Sequence, residues 1–277
     1  MNYKFLLQTL GLAFILCMNT VLAQETPAPN GKFVTIKGKK IYFEESGRGT
    51  PFIMLHGFNG SASLWKSYIA EYEKHFRVIA VDLPGHGRSD YMDTTNVYLH
   101  KRAAEYILGL IHHLKLDSVY VMGASSGGFI TMYMATLEPD LTKRIIVVGG
   151  QVYYSKQTRD IIADCCAGPP GQGAINRHGK EKATLLAKQF YNFRLLYNDP
   201  SFTPDVLASV KAKAFIIHGD NDQIAPVFNA WEMYNNIPRS HLWVVPHGGH
   251  SPPGDPVNQA DFVRRTLEFL SGAWDRK

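Results

Sequence analysis

The chain has 277 residues, enough for one domain with a sizeable core, and its 45% hydrophobic and 19% charged residues exclude a disordered or fibrous protein. The formal net charge of +5 is mildly basic, and the lysines and arginines are scattered. The densest group, Lys37-Gly38-Lys39-Lys40, reads as a solvated turn, so no nucleic-acid partner is expected.

Taken in order, the first residues differ from the rest. Lys4 precedes an apolar stretch from Phe5 through Leu10 and Leu16, and Val21-Leu22-Ala23 stand before Gln24. This pattern predicts a secretory signal peptide over residues 1–23, cleaved after Ala23, and hence a secreted or periplasmic protein. Gln8, Thr9, Asn19 and Thr20 dilute the stretch below a membrane span, so no stable span is expected after cleavage. Leu16 is too bulky to precede a lipidated Cys17. Residues 24–30, rich in proline and polar side chains, form a linker.

From residue 31 the chain alternates strand and helix signals. Phe33-Val34-Thr35-Ile36 and Lys40-Ile41-Tyr42-Phe43 flank Gly38 and predict an antiparallel hairpin. Phe52-Ile53-Met54-Leu55, Phe76 to Val81, Val119 to Met122 and Arg144 to Val148 are short apolar runs of the kind covered on both faces. Between them Ser63 is placed to cap a helix through Trp65 and Ile69, and Leu99, Ala103, Ile107, Leu110 and Leu114 recur at helical spacing. Lys213 to Ile217 and His241 to Val245 resume the strands, and Phe262, Thr266, Phe269 and Leu270 close on an amphipathic helix. The fold class is therefore α/β, a mostly parallel central sheet with helices on both faces. Residues 31–150 and 205–277 form the core domain. Residues 151–204 lack a strand-like run and read as a small helical cap.

The cap carries Cys165 and Cys166, the only cysteines left after cleavage. Adjacent Cα atoms lie about 3.8 Å apart, closer than the ~4.4–6.8 Å of a relaxed disulfide. Two thiols, or pairing to another molecule, are expected, and no disulfide framework.

Gly123-Ala124-Ser125-Ser126-Gly127 sits between an apolar strand and the helical run Phe129 to Ala135. Strand, tight turn and helix form the context of a nucleophile elbow, in which a strained serine projects above the sheet. A serine hydroxyl needs a base, and the base needs a carboxylate to hold its tautomer. Asp220 and Asp222 follow one late strand, His247 and His250 follow the last, and both loops leave strand carboxyl ends. The residues alone leave either aspartate and either histidine open.

Four segments in order carry a resemblance: His56-Gly57-Phe58, Gly85-His86-Gly87-Arg88-Ser89, Gly123 to Gly128, and Gly219-x-x-Asp222-x-x-x-Pro226 followed by Gly249-His250. In these the chain resembles the α/β-hydrolase superfamily over nearly all of its mature length. The resemblance implies Ser125 as nucleophile, Asp222 as acid and His250 as base, with the backbone N–H groups of Phe58 and Ser126 as the oxyanion hole. His56, His86 and His218 are then structural. No cofactor is implied, and the histidines lack the spacings of a metal motif.

A serine at the elbow sets the chain apart from relatives of that fold that use aspartate there, and leaves esterases, lipases, thioesterases, amidases, aminopeptidases, carbon–carbon hydrolases and cofactor-free perhydrolases. Tyr153, Tyr154, Phe190, Tyr191 and Phe193 are candidates for an apolar acyl site or for plain cap core. The expected partner is a small or medium acyl ester. An aminopeptidase or amidase is the runner-up, with Asp160, Asp164, Glu181 and Asp199 as the few cap acids, and a ligand-binding protein without turnover is the alternative from another class. The sequence carries no reading of oligomeric state.

Overall fold

The computed structural model describes residues 30–92, 95–252 and 256–275; the expected leader and all of the linker except Asn30 lie outside the described residues. The apolar runs form β1 (Gly31–Ile36), β2 (Lys39–Ser46), β3 (Pro51–Leu55), β4 (Arg77–Val81), β5 (Val119–Ala124), β6 (Thr142–Val148), β7 (Lys213–Gly219) and β8 (Ser240–Val245). They make one sheet in the order β1-β2-β4-β3-β5-β6-β7-β8. β1 and β2 are the predicted antiparallel hairpin, β2 meets β4 antiparallel, and the remaining neighbours are parallel.

The helices of the core are α1 (Lys66–Tyr72), α2 (His100–His113), α3 (Ser126–Leu137), α8 (Phe228–Asn236) and α9 (Pro256–Ser271). Side chains alternate across a strand, so a central strand feeds two cores. Ile53 and Leu55 of β3 pack with α2, α3 and α8, whereas Phe52 and Met54 pack with α1 and α9. All four are fully buried, which explains why the run is apolar throughout.

Between β6 and β7 the chain leaves the sheet for the cap. It contains α4 (Lys156–Cys165), α5 (Gln172–His178), α6 (Lys180–Asn192) and a short 3-10 turn (Phe193–Leu195), and α7 (Pro204–Ala208) leads back to β7. Gly179, at φ +79°, separates α5 from α6. A bridge from Tyr153 to Ser201 ties the two ends of the insertion together.

Two expectations need correction. Ser63 is not a helix cap, because it lies inside the 3-10 turn Ala62–Trp65 that precedes α1. Asp82, from the end of β4, accepts the Ala62 N–H instead at 2.6 Å. Cys165 and Cys166 are bonded to each other, with Cα atoms 3.7 Å apart. The pair straddles the end of α4, where Cys166 leaves helical angles, so the two side chains are free to turn toward each other. The bridge closes no loop and ties no separate elements.

The sheet order places the site. After β3 the chain moves to β4 on one side, then crosses to β5 on the other side of β3. The loops leaving the carboxyl ends of β3 and β5 diverge there, the crevice in which open α/β sheets hold their ligands.

Candidate active site

Ser125 follows the last residue of β5 at φ 51°, ψ −117°, a conformation that residues with a side chain rarely adopt. The turn is held from both sides. Ser125 N–H donates to Val148 O at 2.8 Å, and Ser125 O accepts from Gly128 N–H at 2.8 Å as α3 begins. Close packing demands the flanking glycines: a Cβ on Gly123 would lie 2.1 Å from Gly127 O, and one on Gly127 2.4 Å from Leu55 O.

Three side chains from distant loops converge at this turn. His250 Nε2 lies 2.9 Å from Ser125 Oγ, and His250 Nδ1 lies 2.8 Å from Asp222 Oδ2. The other carboxylate oxygen of Asp222 accepts the N–H groups of Ile224 and Ala225, each at 2.8 Å. His218 Nε2 donates to Ala225 O at 2.8 Å and stands 3.3 Å from Asp222 Oδ2. Burial pushes the Asp222 pKa up, but the hydrogen bonds from His218, His250 and Ala225 outweigh it and hold the carboxyl below its ordinary range. An anion there keeps the Nδ1 proton of His250 in place and leaves Nε2 facing the serine as acceptor. The rival residues fall outside this cluster. Asp220 and His247 are exposed, and His247 sits at φ 57° in the turn after β8.

The two predicted oxyanion donors flank Ser125. Ser126 is the first residue of α3, so its N–H has no intrahelical acceptor. Phe58 lies in a β-turn closed by Gly60 N–H to Gly57 O at 3.0 Å, with Asn59 at φ 63° in its third position. The turn hugs the serine: a Cβ on Gly57 would be 3.4 Å from Ser125 Cβ. His56 fixes the same peptide. Its Nε2 accepts Leu83 N–H at 3.0 Å, so Nδ1 carries the proton and donates to Gly57 O at 2.7 Å. With Gly57 O held by two donors, the Phe58 N–H of that trans peptide must point the opposite way. Burial pushes His56 down to about 3, which keeps the ring neutral.

A family description, the alpha/beta hydrolase fold, matches residues 50–172. Over 270 residues the chain is 23% identical to a 2-hydroxy-6-oxo-6-(2'-aminophenyl)hexa-2,4-dienoic acid hydrolase from Metapseudomonas resinovorans, covering 87% of this chain and 90% of that protein. A meta-cleavage product hydrolase from Pseudomonas fluorescens IP01 superposes with a TM-score of 0.72 at 21% identity, covering 87% of this chain and 98% of the other. A thermophilic esterase from Thermogutta terrifontis superposes with a TM-score of 0.70 at 20% identity over 87% and 98% of the two chains. This chain has the α/β-hydrolase fold.

Within this α/β-hydrolase fold, Asp82 and His100 carried no sequence signal. Asp82 is fully buried and spans two loops, accepting Ala62 N–H with one oxygen and Arg88 N–H with the other at 2.7 Å. Gly87 is obligatory beside it, since a Cβ there would meet Asp82 Oδ2 at 2.1 Å. His100 Nε2 lies 3.1 Å from Ser126 Oγ, and its backbone N–H donates to Asp199. Two of the four cap acids are engaged elsewhere: Asp160 pairs with Lys156, and Asp199 stands behind His100.

Three of the five cap aromatics pack together with the ring of Phe58, and two do not. Phe190 and Phe193 pack on the Phe58 ring at 5.6 and 4.9 Å, and Tyr154 stacks on Phe193 at 5.3 Å. Tyr153 is exposed, and Tyr191 stacks under Arg194. A cavity of about 900 Å³ lies apart from Ser125, lined by Leu99, Lys101, Arg102, Leu196, Tyr197 and Asp199 among others. Among the described residues, no helix is long and apolar enough to cross a membrane.

Proposed function

We propose that the chain is an exported serine hydrolase that cleaves small or medium acyl esters through an acyl-enzyme. One observation carries this reading: His250 stands within hydrogen-bonding distance of both Ser125 Oγ and the buried Asp222. A ring so placed takes the serine proton at Nε2 as Oγ attacks the acyl carbon, and Asp222 stabilises the imidazolium. The carbonyl oxygen, now anionic, accepts from the Phe58 and Ser126 N–H groups. The carbon–oxygen bond to the alcohol breaks, and the alkoxide leaves with the proton from His250. Water then gives a proton to His250, its oxygen joins the acyl carbon, and Ser125 departs with that proton.

Ser125→Ala should lower kcat for a short-chain aryl ester by several orders of magnitude, about 10⁶ in the best-studied serine enzyme. A fluorophosphonate should label Ser125 in the folded wild type and nothing in the variant. Wild-type turnover by Ser125→Ala would overturn the assignment, and an unlabelled wild type would favour a ligand-binding protein. The ester class is supported by the likeness to the Thermogutta esterase, and by an apolar cluster in which Phe190 and Phe193 of the cap pack on the ring of Phe58. A panel of acyl esters, aminoacyl amides and a 2-hydroxy-6-oxo-dienoic acid tests it, with kcat/KM highest on the esters. Export rests on the composition of residues 1–23, and N-terminal sequencing of the mature protein should begin at Gln24.

A further inference from the structure

The end of α5 reaches out of the cap onto the oxyanion loop. Arg177 Nη1 donates to Asn59 O at 3.0 Å. His178 Nδ1 accepts Gly87 N–H at 2.9 Å, so its protonated Nε2 donates to the same Asn59 oxygen at 3.1 Å. Lys182 of α6 continues the grip, donating to Gly87 O at 3.0 Å and Ser89 O at 2.8 Å. A half-buried guanidinium and a buried imidazole thus converge on one carbonyl, at a residue held at φ 63° without being glycine.

That carbonyl belongs to the Asn59–Gly60 peptide, whose N–H donates to Gly57 O. Gly57 O belongs in turn to the peptide whose N–H is that of Phe58. The groups therefore line up in one direction, from the Arg177 and His178 donors through two peptide units to the Phe58 N–H. Aligned hydrogen bonds polarise one another, and a cation at the head of the row makes the last N–H a better donor. The same contacts stop the Asn59–Gly60 peptide from turning over, which would release Gly57 O and let the Phe58 N–H swing away.

We propose that Arg177 and His178 are positioning residues for the oxyanion hole, so that a docked cap orients and polarises the Phe58 N–H toward the developing oxyanion. The cap is then part of the transition-state machinery as well as a roof over the substrate. The side chain of Ser126 also meets a residue tied to the cap, His100, whose Nε2 lies 3.1 Å from Ser126 Oγ and whose N–H donates to Asp199. This inference rests on the proposed serine-hydrolase reading.

The test uses the full-length protein and Arg177→Ala, His178→Ala and the double variant. Losing an oxyanion donor outright costs about 10²–10³ in kcat, so a loosened one should cost about tenfold in each single variant and more in the double. KM should stay within about twofold, and affinity for a trifluoromethyl ketone, which forms the tetrahedral adduct, should fall in parallel with kcat/KM. His178→Gln keeps one donor and one acceptor and should recover most of the loss, as should Arg177→Lys, which keeps the charge. Thermal melts separate a damaged fold from a loosened loop. If the alanine variants keep wild-type kcat and ketone affinity, or raise KM alone, the proposal is overturned while fluorophosphonate labelling of Ser125 still upholds the hydrolase reading. If Ser125→Ala itself retains wild-type turnover, that reading fails and takes the proposal with it.

Discussion

His56 joins the sequence motif to the geometry with one ring. It accepts Leu83 N–H and donates to Gly57 O, and both bonds require a neutral imidazole with its proton on Nδ1. Burial lowers its pKa from 6.5 to about 3, so the native state binds fewer protons than the unfolded chain below about pH 6.5. Stability should therefore be complete above that pH and fall as pH drops toward 3, by about 1.4 kcal/mol per pH unit for each such group. Burial shifts His86 the same way and steepens the fall. Asp222 behaves differently: its lowered carboxyl withdraws stability only as pH drops below the ordinary 3.8. Urea unfolding from pH 7 to pH 4 should show the loss, and His56→Asn should flatten it; a stability independent of pH over that range would contradict the account. At this scale the sequence was informative where chemistry restricts residue type. Ser125, Asp222 and His250 stand out because few side chains do such work, and motif spacing favours Asp222 over Asp220. Asp82, His100 and His178 were invisible, because nothing local in the chain tells a buried polar contact from a solvated one.

At the scale of single elements, the turn between β5 and α3 depends on backbone packing that a methyl group would destroy. Gly127→Ala would press a carbon to 2.4 Å from a carbonyl of β3, where no side chain can yield. Overpacking of that kind costs about 1–3 kcal/mol or more, which lowers the Tm of a protein this size by at least several degrees. Gly173 is the contrasting case. It lies within α5, and a methyl group added there would meet nothing within 4 Å, so Gly173→Ala should raise stability by about 0.4–1 kcal/mol. Calorimetry of the two variants reads both signs, and a tolerated Gly127→Ala would mean the strand and helix can separate. The turn was legible because strand, glycine, serine and glycine must follow one another in sequence. The helix after β3 was misread at Ser63, since its true capping group, Asp82, comes from twenty residues further on, at the end of a different strand. The cysteine pair was misread for a related reason: spacing alone does not reveal that the helix ends between them.

Across the whole molecule, one sheet divides two cores, and each is closed by helices that arrive late in the chain. Phe262 of α9 is fully buried against Tyr68, with ring centroids 5.8 Å apart, on the face away from α3. Phe262→Ala should cost about 3–5 kcal/mol of stability yet leave kcat/KM unchanged below the melting transition, which denaturant titration beside ester kinetics would check. Layering of this kind is readable from period and length alone, since apolar runs must be covered on both faces. How the cap docks is not readable, because Gln189 to Thr95 O and Lys182 to Ser89 O join residues more than ninety positions apart. The sheet of the described residues also has a rim at β1. Among the described residues β1 pairs on one side only, and the half-exposed Lys32 and Lys37, in and just after it, pair with Glu45 of β2 and Glu105 of α2. Hydrated lysines beside a strand edge hinder a further strand from adding there, so the hairpin works against the sheet growing from one copy into the next.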